Sequence, residues 1–223
     1  MSNIFASSIG KKLIMSLAGL FLILFLIVHL SINLSLIFSD SREIFNKAAH
    51  FMSSNILIKI FEVILFGGFI LHMFYGVLLQ LKNWVARGRR YRIENFSQTS
   101  FFSKFMIHTA AIITVFLVIH LVDFYFKVKI FGDVPTIIYG DEKIHDLGIL
   151  VIEKFRIKGF VIFYLCCFIF LAFHLLHGFQ SAFQSLGLNH KTYSPVIKFL
   201  GIAYSLLITL GFMIIPVYIY FWY

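Results

Sequence analysis

The sequence predicts an all-α protein, a membrane bundle of five transmembrane helices in one domain over residues 1–223. Three observations predict it. The chain is 60% hydrophobic and only 13% charged, whereas a soluble domain is nearer half apolar and a quarter charged. Its charges are bunched, which leaves five long uncharged runs. It also lacks the short alternating segments of a membrane barrel. The same composition argues against a disordered chain. The net charge of +9 does not point to nucleic acid, because the basic residues are not carried on a soluble fold. Cys166 and Cys167 are adjacent and cannot build a disulfide framework; they read as small packing residues.

The uncharged runs are 13–38, 63–81, 105–122, 159–190 and 199–223. A helix that crosses a bilayer needs roughly 20 apolar residues, about 17–25. Five spans follow, at about 13–38, 60–82, 104–127, 159–187 and 197–221. Gly187 is the expected stop of the fourth. The first run is too long for a cleaved signal and is not followed by a small-residue cleavage site, so it is expected to remain. The longest connection, 123–158, leaves no room for a soluble domain.

Charge placement predicts the orientation. The segment before span one and the 82–104 and 191–198 connections carry ten basic residues: Lys11, Lys12, Lys82, Arg87, Arg89, Arg90, Arg92, Lys104, Lys191 and Lys198. Their one acid is Glu94. The other two connections balance nine basic residues with nine acids. Basic residues mark the cytoplasmic side, so the N-terminus is expected inside and the C-terminus outside, with Tyr218, Tyr220, Trp222 and Tyr223 as an interfacial belt.

Five of the nine histidines lie well inside spans: His29, His72, His120, His174 and His177. Ionisable groups within a membrane are costly and mark function. At 1.5 Å per residue, His29 and His120 lie about 25 and 24 Å from the cytoplasmic edge, and His72 and His177 about 15 Å. That gives an outer pair, His29 with His120, and an inner pair, His72 with His177. His174, one turn from His177, is the alternate. Two facing imidazoles can hold one haem iron axially. Two levels therefore predict two haem b groups; the chain has no C-x-x-C-H motif for covalent attachment. Zinc would want three or four ligands at one level. His108 reads as interfacial, and His50, His145 and His190 as solvated.

With these positions fixed, the chain resembles the five-helix dihaem cytochrome b anchor of succinate:quinone oxidoreductases and fumarate reductases. The resemblance spans nearly the whole chain. It rests on Ser8-Ile-Gly-Lys-Lys-Leu-Ile-Met, Gly19-Leu-Phe-Leu, His29-Leu-Ser-Ile-Asn-Leu, Leu71-His72-Met-Phe-Tyr-Gly and Asn83-Trp-Val-Ala-Arg. Ile119-His120-Leu-Val-Asp-Phe and Phe173-His-Leu-Leu-His177-Gly-Phe-Gln-Ser-Ala-Phe-Gln-Ser-Leu-Gly complete it. It implies one axial histidine from each of the first four spans, the fourth being His177. It also implies a flavoprotein subunit and an iron–sulfur subunit on the cytoplasmic face, and a quinone, often menaquinone in such relatives, as redox partner. The succinate chemistry would lie in the flavoprotein, not in this chain. The implied location is a bacterial cytoplasmic membrane. His50 falls near where relatives place a proton-handling acid and is the candidate quinone-site residue. The alternative expectation is a dihaem anchor of another quinone-linked dehydrogenase, of hydrogenase or formate dehydrogenase type. A proton-relaying bundle without haem would need acids inside the spans; only Glu62 and Asp123 stand at their edges.

Overall fold

The computed structural model describes residues 7–38, 41–86, 105–132 and 134–223. The basic positions Arg87, Arg89, Arg90, Arg92 and Lys104, with Tyr91 and Glu94, lie outside the described residues. Helix α1 covers Ser8–Leu34, α2 Glu43–Ser54, α3 Ile56–Ala86 and α4 Met106–His120. A π-helical stretch, Leu121–Phe131, continues α4 without a break. A hairpin follows, β1 Thr136–Tyr139 against antiparallel β2 Glu142–His145. The chain ends with α5 Leu147–Phe155, α6 Lys158–Ser185 and α7 Ser194–Trp222. Five helices are long and apolar enough to cross a membrane: Ser8–Leu34, Ile56–Val85, Met106–Phe131, Lys158–Ser185 and Ser194–Trp222. Large apolar side chains such as Leu24, Val63, Val115 and Leu207 are exposed along them. Such a surface suits lipid and not water.

Local chemistry sets the helix ends. Ser7 accepts a hydrogen bond from Gly10 N–H at 2.9 Å and caps α1. Asn55 ends α2 and accepts from Leu57 N–H at 2.9 Å, which turns the chain straight into α3. Past the end of α6, Gly187 takes a left-handed φ of +81°. Leu188 N–H then reaches back to the Phe183 carbonyl at 3.0 Å, the six-to-one bond that closes a helix on a left-handed glycine.

The second and third spanning helices are longer than their uncharged runs. Glu62 lies inside α3 and Asp123 inside the π-helical continuation of α4. Their charges are compensated. Lys154 stands 2.7 Å from Asp123, and Lys129 stands 3.5 Å from Glu62, which also accepts from the Tyr125 hydroxyl. Segmentation at the charges therefore cut these spans short.

Four helices form a square in projection. α1 packs on α3 and α6, and α4 packs on the same two. α1 and α4 are thus diagonal, as are α3 and α6, and neither diagonal pair packs along its length. α7 lies outside the square against α1 and α6. It approaches closely: a Cβ on Gly211 would come within 2.7 Å of Leu30, and one on Gly201 within 2.9 Å of Phe179. The end where α1 begins is called the inner end, after the orientation expected from the charges, and the opposite one the outer end. At the outer end α2, the hairpin and α5 form a cap. Much of the core lies nearby, around Leu36, Phe45, Ile152, Phe155, Tyr164, Ile215 and Ile219.

Candidate functional site

The square places histidines from its four helices on its two diagonals. His29 of α1 faces His120 of α4, ring centres 5.7 Å apart and planes at 89°. His72 of α3 faces His174 of α6, ring centres 6.2 Å apart and planes at 72°. His72 meets α1 at Met15 and Gly19. His29 stands 10 to 14 residues further along α1, so the levels are separated by about 15–20 Å.

The ring brought to His72 is that of His174. Depth reasoning and the resemblance both chose His177, which stands half-buried one turn further toward the inner end. The difference is one helical turn, about 5 Å. It arises because the helix end used as the ruler for His72, Lys82, falls short of the true end: α3 continues to Ala86, whereas Gly187 closes α6 as expected. Gly178 packs toward Met106 of α4, whose Cε would lie 3.7 Å from an added Cβ.

Three of the four facing rings have a polar neighbour at Nδ1. His72 Nδ1 lies 3.2 Å from the Met15 carbonyl oxygen. His174 Nδ1 lies 3.4 Å from Thr109 Oγ1, and His120 Nδ1 lies 3.5 Å from the Tyr164 hydroxyl. A carbonyl can only accept, so His72 must carry its proton on Nδ1. Its Nε2 is then a free lone pair. The outer pair sits in an aromatic shell. Phe25 and Phe212 lie 5.2 and 5.7 Å from His29; Phe116 and Phe124 lie 5.8 and 5.2 Å from His120.

The donor set can be tested against haem. Two imidazoles bound through nitrogen to one metal, at about 2 Å each, have ring centres about 6 Å apart. Both pairs meet that spacing. The orienting contacts at Nδ1 are those that metal-ligating histidines make through their second nitrogen. Among the described residues no group of three or more His, Cys, Asp or Glu converges, so a tetrahedral zinc centre does not fit these side chains.

The remaining histidines stand apart. His50 lies on an exposed face of α2, and its backbone carbonyl accepts from Ser53 at 2.9 Å. His108 is exposed beside Phe105. His145 and His190 are exposed, and Nδ1 of His190 accepts from Thr192 N–H at 3.2 Å. Cys166 is exposed and Cys167 buried, both as free thiols. Sequence reasoning missed Thr109, Tyr164 and the role of Gly19. Only Gly19 carried a signal, as the small residue of a quoted motif.

Fold and site define a class, a multi-pass helical membrane protein with paired histidines on the diagonals of its bundle. Comparison with protein-family models, with characterised proteins and with solved structures gives no match.

Proposed function

We propose that this chain is the membrane anchor and electron-transfer subunit of a succinate:quinone oxidoreductase, and that it holds two b haems. The observation that carries the haem reading is the diagonal pairing. His29 with His120, and His72 with His174, each span the middle of a four-helix square from helices that do not pack on each other. Cofactor sites in helix bundles are built in this way, from side chains on facing helices. A haem held by two of these histidines would supply reversible one-electron transfer.

The chain's own residues do the rest. His72, fixed by the Met15 carbonyl, presents Nε2 to the inner site. His174 presents its ring from the opposite helix. His29 and His120 do the same at the outer level, where phenylalanines exclude water. Stacking the levels along one bundle gives electrons a route between the two faces of the membrane. The succinate and quinone assignment rests on the sequence resemblance. So do the flavoprotein and iron–sulfur partners on the cytoplasmic face, and menaquinone as the quinone. The charge asymmetry supports an N-terminus in the cytoplasm; a bacterial membrane rests on the resemblance.

A pyridine haemochrome assay on the purified membrane complex, with identification of co-purifying subunits, tests this reading. Two b haems per chain with a flavoprotein and an iron–sulfur protein are expected. Fewer than two haems refutes the pairing. Two haems with hydrogenase or formate dehydrogenase subunits keeps the haem sites and replaces the enzyme.

A further inference from the structure

We infer that Thr109 is a positioning residue for the inner ligand His174, a step that rests on the dihaem reading above. Thr109 is 6% exposed, and it is the buried residue of α4, a helix made mostly of apolar side chains. A hydroxyl buried there needs a reason, because a polar group in an apolar medium is costly unless it is bonded. Its one proton goes to the Met106 carbonyl, 2.9 Å away. What it can then offer His174 Nδ1, 3.4 Å away, is a lone pair.

The consequence is chemical. A hydroxyl that can only accept selects the tautomer of His174 with its proton on Nδ1. Nε2 is left free, and the ring axis is turned toward His72 across the diagonal. On the other side, His72 receives the same tautomer from the Met15 carbonyl. Both inner ligands are thus set by α1 and α4, the two helices that do not carry them. An accepting partner at Nδ1 also raises the basicity of the ligand and stabilises the oxidised metal. Thr109 therefore lowers the midpoint potential at the inner level and not at the outer one.

The experiment is a redox titration of the purified complex carrying Thr109→Val, which keeps the shape and removes the hydroxyl. The inner component should shift positive by roughly tenfold in its oxidised-to-reduced ratio, about 59 mV for one electron. Its low-spin electron paramagnetic resonance signal should move with it. The outer component should stay in place as the internal control. Thr109→Ser should restore both signals. If the valine variant loses both haems through misfolding, Thr109→Ala, which adds no bulk, decides by the same shift. Two haems with an unmoved inner potential in the valine or alanine variant overturns the role of Thr109. A wild-type chain with fewer than two haems overturns instead the reading on which it rests.

Discussion

Gly19 of α1 packs directly on the ring of His72 of α3. A Cβ at Gly19 would lie 3.2 Å from Cε1 and 3.3 Å from Nδ1 of that ring. The contact sits beside the Met15 carbonyl, so α1 both orients the imidazole and leaves space for it. Gly19→Leu should push the ring off its axis. The expected result is a roughly 10–100-fold loss of inner haem affinity, the range for disturbing a ligand's support. Spectra of the purified variant should show the outer component alone.

The diagonal pairing makes a sharper prediction about ligands. His72→Ala and His174→Ala should delete the same redox component, and His29→Ala and His120→Ala the other. His177→Ala should keep two haems. Loss of the inner component in His177→Ala, with His174→Ala unaffected, would return the ligand to the position that sequence depth favoured.

The sequence made the five spans and the facing of His29 with His120 legible for a simple reason. A bilayer forbids charge over a length that can be counted, and a helix rises by a constant step. The choice between His174 and His177 was not legible, because one turn is the uncertainty in where a helix leaves the membrane. The π-helical run after His120 has no signature in residue type. Its Asp123 and Lys129 looked like the start of a loop, since their partners Lys154 and Glu62 lie far away in sequence. Thr109 was invisible for a related reason: a threonine in an apolar helix has meaning only when its neighbour is known.

The outer cap is held by a polar knot between α2 and the start of α5. Arg42 donates through Nε and Nη2 to the Asp146 carboxylate at 2.9–3.3 Å. Asn46 donates to Asp146 at 2.8 Å and accepts from Gly148 N–H at 2.8 Å. Burial by itself would raise the pKa of Asp146. The hydrogen bonds from Arg42, Asn46 and Ile149 N–H, with the Arg42 charge, outweigh it and hold the carboxyl below its ordinary range. A carboxyl with a depressed folded pKa stabilises above its unfolded value, about 3.9. That contribution fades as pH falls through the folded value. Hydrogen exchange in the hairpin and α5 should therefore accelerate below about pH 4, beyond the intrinsic change, while the spans stay protected. Asp146→Ala removes the acceptor shared by Arg42 and Asn46 and should destabilise the cap by about 1–3 kcal/mol at neutral pH. Hairpin protection that is the same at pH 3 and pH 6 would remove this latch.

Docking of soluble partners is expected at the inner end, against the 82–104 connection. Trp84 in the last turn of α3 is 51% exposed. Tyr91 follows it in the sequence, outside the described residues. The connection carries six Lys/Arg against one acid. Exposed charges are screened over about 8–10 Å at physiological salt, so the basic residues alone do not hold a complex. Aromatic side chains at interfaces contribute more than their number. Alanine at Trp84 and Tyr91 should therefore release the soluble subunits from washed membranes. Both haem signals should stay intact, because neither residue belongs to a histidine pair. The inner pair is the nearer of the two to this end, so on the proposed reading it is the one an electron donor would reach first. Crosslinks from the soluble subunits to the hairpin and α5 instead would place the donor at the outer pair, and would invert both the orientation and the direction of the electron path.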